Sequence, residues 1–186
     1  GALLMSEQTE GARPVWRPSQ AWQGGERDGR WGEALALLDA DGDGLDDLIV
    51  GAPGERLAGV GQGVVYVYSR LTEGGFSAEP TRVLSGLTGS FNLFGSALAR
   101  CDVNGDGLPD LAVGAPDGIS ADPYLVGRGY VSVFYAEEGG LSPVPRQLLW
   151  GVVPEGSAWK GLSFMRFGSQ LVGGDFNGDG VCDLVV

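Results

Sequence analysis

Three short stretches carry the residues that could do chemistry. They are Asp39, Asp41, Asp43 and Asp47; Asp102, Asn104, Asp106 and Asp110; and Asp175, Asn177, Asp179 and Asp183. Each stretch sets oxygen-bearing side chains at loop positions 1, 3, 5 and 9, with glycine at position 6. A hard cation such as Ca²⁺ takes about six to eight oxygens at roughly 2.3–2.6 Å. A tight loop with alternate side chains turned inward supplies them, and Gly107 permits the bend because it tolerates positive φ. One such string is a moderate signal. Three in register are a strong one.

An EF-hand begins with the same spacing but needs a bidentate Glu at position 12 and flanking helices. Position 12 here is Val50, Val113 or Val186, each in an apolar run. That reading fails. Merely solvated acidic turns are also a poor account, because the five carboxylates between Asp39 and Asp47 would repel one another without a cation. Asp46, the extra one, reads as facing solvent.

Composition agrees. The formal charge of −12 disfavours nucleic acid or an anionic membrane as partner. Ten of the twelve side-chain positions in the loops are carboxylates, and three Ca²⁺ would halve that charge. A hydrophobic content of 43% argues against disorder, and 34 glycines without a Gly-X-Y period exclude collagen. No run approaches the ~18 apolar residues of a membrane helix, so direct membrane insertion is not expected. No signal peptide is visible, and the start at Gly1 suggests that an upstream segment lies outside this sequence. There is no histidine and no Gly-x-Ser-x-Gly elbow, and the clustered carboxylates are claimed by the loops. No catalytic residue is assigned. Cys101 and Cys182 each stand one residue from a loop ligand; two small buried thiols are expected, ahead of a disulfide between neighbouring repeats.

The elements that must position the loops repeat with them. An aromatic-glycine pair (Trp31-Gly32, Phe94-Gly95, Phe167-Gly168) precedes small and apolar residues, then the loop, then an apolar exit. Two exits end in Gly-Ala-Pro, at Gly51–Pro53 and Gly114–Pro116. Strand-like runs follow at 63–68 and 129–135, after an equivalent run at 1–5, and a fourth strand comes after each Glu-Gly turn. Four short strands per unit and no credible helix predict an all-β fold of four-stranded antiparallel propeller blades. The phase divides the chain into the second half of a blade (1–30), complete blades at 31–86 and 94–151, and the first half of a blade (167–186). About three blades do not close a ring. The remaining blades are expected in the same chain, or else from a second copy whose cut blades complete these. Trp31, Phe94 and Phe167 read as packing residues between blades.

These residues resemble FG-GAP repeats, the units of the propeller at the head of integrin α subunits. The Phe-Gly pairs, the Gly-Ala-Pro exits and all three Asp-x-Asp/Asn-x-Asp-Gly-x-x-Asp loops carry the resemblance, and Trp31-Gly32 departs from it. It implies a seven-bladed propeller and one Ca²⁺ in each of the three loops, held by the four side chains named above and by the carbonyl of Leu45, Leu108 or Val181. It also implies an extracellular, cell-surface or periplasmic setting and a role in adhesion or recognition of a protein or glycan ligand, without catalysis. The alternative is an accessory or glycan-binding propeller attached to a secreted hydrolase or lyase. The ligand face is expected opposite the loops, on the linkers 54–62, 87–93, 117–128 and 152–166. Its candidates are Trp159, Lys160, Phe164 and Arg166 on the longest linker, and Asp122 and Tyr124 on another, because exposed aromatics beside charges suit interfaces.

Overall fold

A computed structural model describes residues 2–8, 16–25, 28–57, 62–87, 92–118, 128–152 and 165–186. Among them every regular element is a strand. A two-stranded pair, β1 (Ala2–Gln8) and β2 (Trp16–Gln23), comes first. β3 (Leu35–Leu38), β4 (Asp47–Ala52), β5 (Val64–Tyr68) and β6 (Arg82–Ser85) form an antiparallel sheet in chain order. β7 (Ala97–Cys101), β8 (Asp110–Ala115), β9 (Tyr130–Phe134) and β12 (Gln147–Trp150) repeat that arrangement. Between β9 and β12 the chain makes a small hairpin, β10 (Ala136–Glu137) with β11 (Gly140–Leu141). A pair, β13 (Val172–Gly174) and β14 (Asp183–Val185), ends the described chain.

Sheets stack as propeller blades because their second and third strands are apolar on both faces. β4 and β8 are buried at every residue, as is β9. Side chains alternate faces along a strand, so neighbouring residues feed different cores. Ile49 packs with Phe94, Leu111 and Phe134 towards the following blade, whereas Leu48 and Val50 pack with Trp22, Trp31, Tyr68 and Phe76 on the preceding side. In β8 the same alternation sends Leu111 and Val113 one way and Ala112 the other, towards Phe167, Leu171 and Leu184. Fully burying one Val or Ile is worth about 1.5–3 kcal/mol. The first strands β3, β7 and β13 lie side by side, as radial stacking requires.

The motif glycines hold this stacking close. Within a blade the aromatic-glycine amide donates to the Gly-Ala-Pro glycine: Gly32 N to Gly51 O at 2.9 Å, and Gly95 N to Gly114 O at 3.0 Å. Between blades, a Cβ on Gly51 would meet the Gly95 carbonyl oxygen at 2.1 Å, and one on Gly114 would meet that of Gly168 at 1.9 Å. Phe94 is fully buried and Trp31 nearly so, while Phe167 is half-buried. The residue before each aromatic (Arg30, Leu93, Arg166) has φ of 53–54°, the same turn three times.

Gly114→Ala should therefore lower stability by roughly 2–3 kcal/mol, because backbone must move to admit one methyl. Urea denaturation measures it. A loss within about 0.5 kcal/mol, the range of an ordinary surface change, would contradict the close approach.

Candidate metal centre

Each acidic stretch is the hairpin loop between the first two strands of a sheet. The pairs Leu38–Asp47, Cys101–Asp110 and Gly174–Asp183 close the three loops at the same register. The side chains fold the loop around themselves. At position 1, Asp39 accepts the Gly42 and Gly44 amides at 2.7 and 2.8 Å; Asp102 accepts those of Gly105 and Gly107 at 2.7 and 2.8 Å; Asp175 accepts those of Gly178 and Gly180 at 2.6 and 2.9 Å. At position 3, Asp41, Asn104 and Asn177 accept the amide of position 5. At position 5, Asp43, Asp106 and Asp179 accept the amides of Leu45, Leu108 and Val181, whose own side chains are exposed. Turning the side chains inward satisfies the loop amides.

The loops differ at position 3. Asn104 Nδ2 donates to Asp106 Oδ2 at 2.9 Å, and Asn177 Nδ2 to Asp179 Oδ2 at 3.0 Å. Asp41 cannot donate; its Oδ2 accepts from Ser69 Oγ at 3.0 Å. The first loop thus brings Asp39, Asp41 and Asp43 together with ligand oxygens within 4.8 Å of one another. Three anionic donors with no cation among them fit a hard divalent ion. An all-oxygen set excludes a preference for soft metals.

Position 9 has a second task that the spacing does not show. Asp47 is fully buried; its Oδ2 accepts the Ala40 amide at 2.9 Å and its Oδ1 the Arg70 amide, just past β5, at 2.8 Å. Asp110 repeats this with Val103 at 2.9 Å and with Ala136, just past β9, at 2.9 Å. Asp183 accepts Phe176 N at 3.0 Å. Asp47 and Asp110 therefore pin their loops to the third strand; the carboxylate oxygens gathered within 4.8 Å of one another are those of Asp39, Asp41 and Asp43, and Asp47 is not among them. Each carboxylate oxygen has two lone pairs, so one amide leaves a further acceptor position. Burial pushes both carboxyls up, against the lowering effect of those amides. A raised acid favours the fold most below its unfolded value of 3.8, and that stabilisation is lost as pH rises through the raised value. At neutral pH the buried charge is a cost to the fold. Asp175, fully exposed, is held below the ordinary range by the amides of Gly180 and Gly178.

One expectation about neighbouring residues is corrected. Cys101 and Cys182 are not thiols but a disulfide, with Cα atoms 5.5 Å apart and 81 residues between them in sequence. β7 and β13 come together because Gly173 has no side chain: a Cβ there would lie 2.3 Å from Arg100 O and 3.0 Å from Cys101 Cβ. The signal was a cysteine beside the loop in each of two adjacent repeats, which stacking makes neighbours. Asp46 is exposed, as expected, and both its oxygens accept from Arg100 Nη1, at 3.1 and 3.2 Å. Of the ligand-face candidates, Arg166 is exposed and lies 3.8 Å from Asp117. Trp159, Lys160, Phe164, Asp122 and Tyr124 lie outside the described residues.

Asp110→Asn would replace one acceptor by an NH₂ facing a backbone N–H. It should cost about 2 kcal/mol even in excess chelator, since a buried donor loses its partner. Asp106→Asn, in the exposed part of the loop, should cost little under the same conditions. Equal losses from the two variants in chelator would contradict the pinning role.

The FG-GAP repeat family matches residues 31–68 and 94–134, each match running from the aromatic-glycine pair through the loop to the third strand. Integrin alpha-IIb of Mus musculus is 35% identical over 180 residues, covering 92% of this chain and 16% of that protein. Integrin alpha-7 of Rattus norvegicus is 36% identical over 193 residues, covering 100% of this chain and 15% of that protein. Phosphatidylinositol-glycan-specific phospholipase D of Homo sapiens is 36% identical over 165 residues, covering 84% of this chain and 18% of that protein. The chain thus spans about a sixth of the length of these relatives. With its repeated loops, its motif glycines and its antiparallel blades, the chain belongs to the FG-GAP repeat proteins and is similar to integrin α subunits.

Proposed function

We propose that this chain is a calcium-stabilised stretch of an extracellular β-propeller that serves adhesion or ligand recognition and carries out no catalysis itself. The observation that carries the reading is the oxygen-lined hairpin, built the same way three times. In it Asp39, Asp41, Asp43 and Asp47, with the Leu45 carbonyl, hold the first ion. Asp102, Asn104, Asp106 and Asp110, with Leu108, hold the second; Asp175, Asn177, Asp179 and Asp183, with Val181, hold the third. Bound Ca²⁺ supplies positive charge to a loop that concentrates negative charge. The protein's own part is to fix the turn, through the position-1 and position-9 carboxylates, so that each blade keeps its register.

The blade limits follow the repeat: 31–86 and 94–151 complete, 1–30 and 167–186 halves, with the other blades of a seven-bladed ring supplied by further sequence of the same protein or by a second copy. A disulfide fits an oxidising compartment, hence an extracellular or cell-surface setting. The integrin relatives favour a protein ligand on the face opposite the loops, where Arg166 and the linker residues Trp159, Lys160, Phe164, Asp122 and Tyr124 are the candidates. The similarity to a phospholipase D favours a second reading, a propeller accessory to a secreted hydrolase. The reading frame on both sides separates the two: a catalytic domain beside the repeats supports the second, further adhesive modules the first.

Calcium at a hundred times its Kd adds about 2.7 kcal/mol per site. A gain of that size moves the melting point of a domain near this length by roughly 5–10 °C. Chelation should therefore lower the midpoint by at least that amount in a calorimetric scan. A melt unchanged by chelator, after verified metal removal, would overturn the structural role of the ion.

A further inference from the structure

The run Arg100-Cys101-Asp102, which closes β7 and opens the second loop, touches all three loops. Successive side chains of a strand point to opposite faces, so Arg100 and Cys101 reach the two neighbouring blades. Arg100 pairs with Asp46, position 8 of the first loop, at 3.1 Å. Cys101 is bonded to Cys182, position 8 of the third loop. Asp102 is position 1 of the second loop. The two links differ in strength. The ion pair has side chains 47% and 43% exposed, so solvent screens it. The disulfide is covalent, its Cys101 end is 2% exposed, and Cys101 Sγ lies 3.3 Å from the Asp183 carbonyl oxygen.

Among the described residues, β13 and β14 form a pair of three residues each. We propose that the Cys101–Cys182 disulfide is a positioning element for calcium: it holds the second and third loops in their binding shape and raises their affinity, leaving the first loop unaffected. Calcium affinity at two of three sites is then redox-dependent. The proposal rests on the calcium reading given above. Physically, a pre-ordered loop loses less conformational freedom when the ion binds, and groups that orient metal ligands are commonly worth about ten- to a hundredfold in affinity.

Each loop has a reporter, the amide of Gly44, Gly107 or Gly180, which donates to its position-1 aspartate. Calcium is titrated into the oxidised protein and into the Cys101→Ser/Cys182→Ser variant while these three amides are followed by ¹H–¹⁵N correlation spectra. The expected result is a half-saturation about tenfold or more higher for Gly107 and Gly180 in the variant, with Gly44 unchanged. Superimposable curves, or an equal shift of all three, would overturn the proposal while leaving the calcium reading intact. If no glycine of the oxidised protein responds to calcium, the calcium reading fails and the proposal with it. Should the variant not fold, linkage supplies the same test in the wild-type chain. Calcium must make the disulfide harder to reduce in a glutathione buffer by the combined factor by which the bond tightens calcium. A reduction midpoint that is the same in calcium and in chelator would overturn the proposal.

Discussion

Two fully buried carboxylates, Asp47 and Asp110, set the terms for the rest of the structure. A carboxylate inside a blade must be met by donors, and each of these receives two backbone amides, one from its own loop and one from the start of the segment after the third strand. That arrangement ties a hairpin between strands one and two to strand three, and thereby fixes the register of the inner blade. Even so, burial outweighs the amides and pushes both carboxyls up. The remaining imbalance gives the loop a reason to hold a cation.

Packing between blades obeys a second constraint, the two-residue period of a strand. Because β4 and β8 are apolar on both faces, these two blades have no solvent side along their second strands, and each gains its core from its neighbours. The close approach of Gly51 to Gly95 and of Gly114 to Gly168 lets this happen at backbone distance. Links at the loop end reinforce the stacking. Leu141 N donates to Ala40 O at 3.0 Å, Arg82 reaches Leu141 O at 2.5 Å, and the Cys101–Cys182 bond joins the next pair of blades. The loop ends are thus the cross-linked ends of the blades.

Local spacing made much of this legible in the sequence. The Asp-x-Asp/Asn-x-Asp-Gly pattern dictates which side chains turn inward, and the observed amide bonds follow it in all three loops. The apolar exits DLIVGA and DLAVGA announced strands, which the structure buries at every residue. What stayed hidden depends on which blade lies beside which. The disulfide joins residues 81 apart that count and compartment leave open, and the Arg100–Asp46 pair joins residues 54 apart. The double duty of Asp47 was hidden because its second partner, Arg70, offers a backbone amide, which carries no signature in the side-chain sequence. The small β10–β11 hairpin was masked too, since Glu138-Gly139-Gly140 reads only as a turn.

The central claim is that these hairpins are three equivalent ion sites rather than acidic turns. A crystal grown in calcium and measured with long-wavelength X-rays addresses it without mutation or inference from stability. The account predicts one anomalous peak in each loop, with oxygens of positions 1, 3, 5 and 9 at roughly 2.3–2.6 Å. Loops without peaks at saturating calcium, or peaks bound only elsewhere on the surface, would contradict it.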